Sequence, residues 1–265
     1  MNLTLKRKII SIITSTITFS TVIGVCVSTF LLMDKKSFNT IFVSGGSMRP
    51  TLQGGHDDGC HPPYIDSNGN YVHGDYVNFG KVDYSLKAKR NIKRYDIVTT
   101  FFPTDYDSQG RLIDGADYKI KRVIALPGET FKITQGILYV KQSGSYVEIE
   151  RKHLIEDDGK VSIKDVGEHT LNNDEYWVMG DHRSGSRDCV NFNKPVLLNY
   201  ITGVLVSIEG VAEFYVHYQC GKCGHEVNEL DYLKGKISSC PKCGGYIKAT
   251  DGDIRNRQYT YPEII

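Results

Sequence analysis

The chain carries almost no excess of either charge. Its formal net charge is +1, so no bulk electrostatic attraction draws it to nucleic acid, and none is expected as a partner. It lacks a long 3.6-residue hydrophobic period beyond its first few dozen residues, which argues against a helical bundle and a helix-turn-helix pair. It lacks an Ala-x-Ala signal after its N-terminal apolar stretch, which argues against a removable leader. Cysteine is scarce outside one cluster. Four of the seven form two Cys-x-x-Cys pairs near the C-terminus, while Cys26, Cys60 and Cys189 stand alone, so a general disulfide framework is not expected. Apolar residues make up 40%, below the globular average yet ample for a core. What is abundant is Gly, at 26, and Tyr, at 17. With frequent Val, Ile and Thr these favour strands and turns over helices.

Lys6-Arg7-Lys8 precede an uncharged stretch from Ile9 to Met33, which the charged Asp34-Lys35-Lys36 ends. As a helix this stretch measures about 37 Å, enough to cross a hydrocarbon core of about 30 Å with some tilt. Ser and Thr dilute it, but their hydroxyls can bond back to helix carbonyls. It is longer than the apolar region of a secretory leader. The expectation is an uncleaved, single-pass anchor over residues 1–36. The basic cluster before the span carries more positive charge than the flank after it. That places the N-terminus in the cytoplasm and the bulk of the chain on the extracytoplasmic side of the cell membrane.

Beyond the anchor, strands are predicted over Thr40–Val43, Tyr76–Phe79, Asp96–Phe102, Tyr118–Leu126, Thr130–Ile133, Ile137–Val140, Tyr176–Met179 and Ile201–Val206. Gln53 to Gly74, rich in Gly, Asp, His, Pro and Asn, reads as a loop. The body is therefore expected to be mainly β. It would run over 37–215, with a smaller β insertion over 131–175. A break in composition near Tyr218 begins a different tail, 216–265.

Three segments carry chemistry. Ser44-Gly45-Gly46-Ser47 is a Gly-rich turn after a strand. Such a turn can expose a serine hydroxyl and leave backbone N–H groups free to form an oxyanion hole; it also fits an ordinary turn. In Lys119-Ile120-Lys121-Arg122, strand alternation places both lysines on one face and Arg122 on the other. A lysine against apolar neighbours loses solvation, its pKa falls, and the neutral amine can take a proton from serine. The same pattern fits surface charges on a half-exposed strand. Gly180-Asp181-His182-Arg183-Ser184-Gly185-Ser186-Arg187-Asp188 is a dense polar loop after a strand, able to orient charged partners or simply to be solvated.

Taken together these segments resemble the bacterial type I signal peptidases. Ser47-Met48-Arg49-Pro50-Thr51-Leu52 is similar to the nucleophile box of that family. Gly74-Asp75-Tyr76-Val77 and Arg94-Tyr95-Asp96-Ile97-Val98 are similar to its next boxes. Lys121 to Glu129 resembles the catalytic-lysine box, and Gly180-Asp181-His182-Arg183 with Ser186 and Asp188 resembles the last. The resemblance spans roughly Lys6 to Ser207 with the boxes in order. It implies a Ser–Lys protease fold and a membrane-bound serine endopeptidase that removes signal peptides from secreted preproteins through an acyl-enzyme. It implies Ser47 as nucleophile and Lys121 as general base, with no catalytic cofactor. Ser186 would hydrogen-bond the Lys121 amine. Asp181 and Asp188 would be structural or orienting, with Arg122 as partner of Asp181. The Ser47 backbone N–H would serve the oxyanion. The implied partners are signal peptides with small residues at −1 and −3, the lipid bilayer and the secretion translocon.

Three departures from the family pattern stand out. Many members carry a serine two residues before the nucleophile as an oxyanion donor. Here that position is Gly45, and the nearest serine is Ser44. The loop from Gln53 to His73 is longer than usual. The arginine often found two residues after the last Asp is Val190, leaving Arg187 or Arg183, or nothing, for Asp188.

In the tail, Cys220-Gly-Lys-Cys223 and Cys240-Pro-Lys-Cys243 repeat one pattern at zinc-ribbon spacing. Four thiolates suit a structural zinc, whereas two disulfides would suit an oxidising compartment. So short a segment needs one staple or the other. His56, Asp57, Asp58, Cys60 and His61 in the long loop could ligate a metal, but the plainer reading is a solvated loop. Cys26 and Cys189 read as packing residues. Two other functions fit parts of the chain. One is a self-cleaving Ser–Lys regulatory protease of the repressor type, normally soluble and joined to a DNA-binding helix pair. The other is a membrane-tethered zinc-ribbon binding module with an inactive protease body, which Gly45 would suit and the intact Ser47, Lys121 and Ser186 oppose.

Overall fold

The computed structural model describes residues 37–56, 59–149, 164–250 and 252–259. The expected anchor over 1–36 lies outside them. Among the described residues no helix is long and apolar enough to cross a membrane. The chain is mainly β, as its composition implies, and among the described residues helices are single turns such as Leu86–Arg90, capped by the Ser85 hydroxyl, and Cys189–Phe192.

The principal sheet holds β1 (Phe38–Phe42), β4 (Tyr76–Asp83), β13 (Ile201–Tyr215), β5 (Ile97–Thr100), β6 (Lys119–Ala125), β11 (Glu175–Met179) and β12 (Val196–Leu197), hydrogen-bonded in that order. All its pairs are antiparallel. A second sheet of β7 (Thr130–Thr134), β8 (Ile137–Gln142), β9 (Ser145–Glu148) and β10 (Val166–Thr170) lies between β6 and β11 in the chain. The main core fills the space between it and the β6–β11 part of the large sheet. Val123, Phe131, Ile133, Leu138, Trp177 and Val178 are all fully buried there. Side chains of this size contribute about 1.5–3 kcal/mol each when fully buried.

Two differences from the sequence reading matter for the site. The strand expected over Ile201–Val206 continues to Tyr215. Its pairing with β4 shifts register between Leu205 and Ser207 and between Ile208 and Gly210. Each bulge breaks the two-residue alternation by which a strand is recognised. The long loop after the nucleophile box contains a small hairpin, β2 (Tyr64–Ile65) with β3 (Tyr71–Val72). The tail forms its own three-stranded sheet from β14 (Tyr218–Cys220), β15 (Glu226–Val227) and β16 (Ile247–Ala249). It then returns to the body as β17 (Asp253–Tyr259), paired with Val211–Tyr215 of β13.

Candidate active site

Ser47 sits on a single 3-10 turn, Gly46–Met48, at the end of β1. The nucleophile box places this turn through alternating burial. Met48 and Leu52 are buried with Val43 in a small apolar cluster that Ile97, Ile120 and Leu205 complete. Arg49 points away and donates to the Gly55 carbonyl at 2.6 Å. With Met48 pinned beneath, Ser47 is held over β6. Lys121 Nζ lies 2.7 Å from Ser47 Oγ and 3.0 Å from the Ile120 carbonyl oxygen.

Lys121 is 2% exposed. Burial pulls its pKa from the ordinary 10.5 down to about 8. The Asp188 and Asp181 carboxylates oppose that shift, and the nearby Lys119 charge adds to it. Lys119 itself reaches Asp105 at 3.0 Å and is half-exposed. The expected division holds: Lys121 meets the serine, and Arg122 turns to the other face, where it is buried. There the Arg122 guanidinium grips Asp181 with Nη2–Oδ2 at 2.6 Å and Nε–Oδ1 at 2.8 Å, and donates to the Tyr95 carbonyl at 2.8 Å. Thr51 donates to the same Asp181 carboxylate at 2.6 Å. Arg183 Nη2 stands 3.7 Å from Asp181 Oδ1. One buried carboxylate therefore joins the nucleophile box, the lysine strand and the last box. Thr51 is the member that residue typing alone left without a role.

The loop after β11 closes over the turn. The His182 backbone N–H donates to the Ser47 carbonyl at 3.1 Å. Gly180 packs so tightly that a Cβ there would come within 2.4 Å of the Ser47 carbonyl oxygen and 2.2 Å of Ser186 Oγ. Asp188 is bound by main-chain amides. It accepts from the Gly180 backbone N–H at 2.9 Å and caps the following short helix at Val190 N. The hydrogen bond expected from Ser186 to the Lys121 amine is not formed. Ser186 Oγ is buried beside Gly180 and has no hydrogen-bond partner among the described residues.

Ser44, Gly45 and Ser47 line one wall of a cleft of about 500 Å³, together with Thr40 to Val43; Asp117 to Lys121 line the other. Both walls present strand edges. β1 is the outermost strand of its sheet, and β6 pairs with β11 only from Arg122 onward. Gly45 is extended (φ −129°), and a Cβ there would meet nothing within 4 Å. The Ser44 carbonyl accepts from Cys60 Sγ at 3.4 Å. Cys189 is fully buried, as a packing residue would be.

The four tail cysteines carry no S–S bond and lie together. Sγ–Sγ separations are 3.4 Å for Cys223–Cys243, 3.5 Å for Cys220–Cys243 and 3.7 Å for Cys223–Cys240. Four sulfurs about 2.3 Å from a tetrahedral zinc stand about 3.8 Å apart. The two knuckles are copies. Gly224 and Gly244 share a left-handed φ near 68° and donate to the Cys220 and Cys240 carbonyls. The donor set fits a structural zinc.

The family model described as signal peptidase, peptidase S26, matches residues 13–208. Signal peptidase I V of Bacillus subtilis is 32% identical over 72% of this chain and 93% of its own length. Signal peptidase I of Bacillus amyloliquefaciens is 35% identical over 28% of this chain and 42% of its own. A crystal structure of a signal peptidase I from Enterococcus faecalis, 23% identical, matches 44% of this chain and 97% of its own with a TM-score of 0.34. The chain therefore belongs to the peptidase S26 family of signal peptidases, and is a serine endopeptidase of the bacterial type I kind.

Proposed function

We propose that the chain removes signal peptides from preproteins with Ser47 as nucleophile and Lys121 as general base. The observation that carries this reading is the 2.7 Å separation between an amine buried to a pKa of about 8 and a hydroxyl that opens on a cleft. An extended preprotein segment would lie between the strand edges of the cleft and complete their main-chain hydrogen bonds. Alternation along such a segment turns its −1 and −3 side chains to the same wall, where only small ones would fit close to Ser47. Neutral Lys121 takes the Ser47 proton as Oγ attacks the scissile carbonyl carbon. The resulting ammonium gives that proton to the leaving amine, and an acyl-enzyme remains. Lys121 then takes a proton from water, whose oxygen attacks the acyl carbon. Ser47 leaves with that proton restored. The Ser47 backbone N–H is the donor assigned to the oxyanion; Gly45 has no side chain to donate, and Ser44, on the same wall of the cleft, is the nearest other hydroxyl. Ser186 is assigned the role of steadying the amine once Ser47 Oγ moves off toward the carbonyl.

The division into an anchor (1–36), a catalytic body (37–215, with the insertion 131–175) and a tail (216–265) belongs to the same proposal. So does placement of the body outside the cytoplasmic membrane, beside the translocon. Cys220, Cys223, Cys240 and Cys243 would hold a zinc that supplies folding energy to the tail. The test is cleavage of a purified preprotein by the full chain. Wild type should release the mature part, while Ser47→Ala and Lys121→Ala should not, with unfolding midpoints kept near wild type. Processing by Ser47→Ala protein would sink the assignment.

A further inference from the structure

The loop that departs from the family pattern carries two imidazoles, and the fold delivers both to a carboxylate of a family box. We propose that His56, His61 and Asp75 form a binding site for a divalent transition metal such as Zn²⁺, separate from the tail cysteines. One ligand atom from each of the three lies within 4.8 Å of the others. His56 Nε2 is 3.3 Å from Asp75 Oδ1, and the two imidazoles stack with centroids 4.4 Å apart. Nitrogen and oxygen ligands on a tetrahedral zinc, at about 2.0–2.1 Å each, stand about 3.3 Å from one another. One edge of the triangle already has that length. The others need to close by at most about 1.5 Å, within reach of exposed side chains turning about χ1 and χ2.

The scaffold is built as a site requires. Asp75 immediately precedes β4, and its carbonyl accepts from Phe214 N at 2.7 Å. Its Oδ2 accepts from the His61 backbone N–H at 2.8 Å, and its own N–H donates to the His61 carbonyl at 3.0 Å. His61 is thus fixed to Asp75 by two main-chain contacts. His56 is held in a tight turn by reciprocal bonds with Gly59, at 2.7 and 3.1 Å. The His56 side chain is 60% exposed, so an ion can enter and a water can fill the remaining position. Imidazole with carboxylate is the donor set of first-row metals rather than of calcium or magnesium. Cys60 is not a ligand, because it turns its sulfur to the Val43 and Ser44 carbonyls. That contact gives the site a consequence: a metal that pins His61 also fixes Cys60 beneath Ser44, at the rim of the cleft.

The test is Co²⁺ stoichiometry on the full chain in detergent. Protein stripped by a chelator is dialysed against buffered Co²⁺, and bound metal is counted beside the absorption spectrum. The tail thiolates report themselves through sulfur-to-cobalt charge transfer, and the second site adds an equivalent without it. His61→Ala and His56→Ala should each bind one equivalent less than wild type while any charge-transfer band is unchanged. The proposal fails if either variant binds as much cobalt as wild type, or if wild type binds none beyond what the thiolate band accounts for. Neither outcome depends on Ser47 or Lys121.

Discussion

Gly180 leaves no room for a methyl group against Ser47: a Cβ would sit 2.4 Å from the Ser47 carbonyl oxygen. The contact is backbone to backbone on the serine side, so no side chain can swing away. Gly180→Ala must push the 3-10 turn or the loop after β11 by about an ångström, and displacement of that order costs catalysis about a hundredfold. The expected result is a hundredfold or greater fall in kcat with a loss of about 1–3 kcal/mol in stability. Preprotein cleavage and thermal unfolding measured on one preparation check it.

Gly45 presents the reverse case. Its backbone is extended and a side chain would enter open cleft. Gly45→Ser therefore needs no strained φ and meets no neighbour. It places a hydroxyl beside Ser47, where the proposed mechanism develops charge on the carbonyl oxygen. One oxyanion donor is worth about a hundredfold or more where a site is built around it; grafted without supporting contacts, about tenfold in kcat is expected, with Tm unchanged. A kcat at or below wild type would place the oxyanion elsewhere.

The depressed pKa of Lys121 sets the pH dependence. Only the neutral amine is a base, so kcat should rise with pH through an inflection near 8 and then level off. The same shift affects stability. The folded pKa lies below the unfolded value of 10.5, so the unfolded chain binds more protons between about 8 and 10.5, and stability rises with pH across that window. Below 8 the folded state carries the full cost of the buried charge, roughly 3 kcal/mol. Lys121→Met should remove that cost, giving an inactive protein with a higher Tm at pH 7. Unfolding curves at pH 7 and pH 10 for both proteins test it; the gap should shrink at pH 10.

The approach of Lys121 to Ser47 was legible because the resemblance rests on ordered boxes whose residue types survive: Ser47 before a buried Met48, Lys121 before Arg122. The Arg122–Asp181 pair was legible for the same reason. Roles carried by backbone were not. The partner of Asp188 is the amide of Gly180, and the Ser47 carbonyl is held by the amide of His182; amides leave no mark on residue type. Ser186 shows the converse, since its identity predicts a hydrogen bond that its rotamer does not make. The second half of β13 was hidden because its bulges erase the period that defines a strand. Asp75 was overlooked as a partner of His56 and His61 because only the fold of the long loop brings them together.

The Arg122–Asp181 pair is 6% and 5% exposed, and Thr51 donates to the same carboxylate. Asp181→Asn keeps the shape but leaves the guanidinium without its counter-charge, and breaking a buried pair in this way costs about 3–5 kcal/mol. It also removes a charge that favours the Lys121 ammonium, so the inflection in kcat should move to lower pH in the surviving activity. A stability loss with an unmoved inflection would mean that the carboxylate shapes the fold without influencing the base.

The tail sheet contributes little apolar burial of its own: among its cysteines only Cys220 and Cys240 are buried, and Tyr246 is 66% exposed. Its order should therefore depend on what joins the four sulfurs. With zinc bound, about one equivalent should survive desalting in a Cys60→Ser, His61→Ala background, and thiol reagents should reach the tail only after chelation. Chelation should also expose the β14–β16 amides to hydrogen exchange while β1, β4 and β6 stay protected, because the body keeps its own sheet and meets the tail's far end through the β17–β13 pairing. If the tail amides stay protected after chelation and the four thiols resist alkylation until reduced, disulfides hold the tail, and zinc has no structural role there.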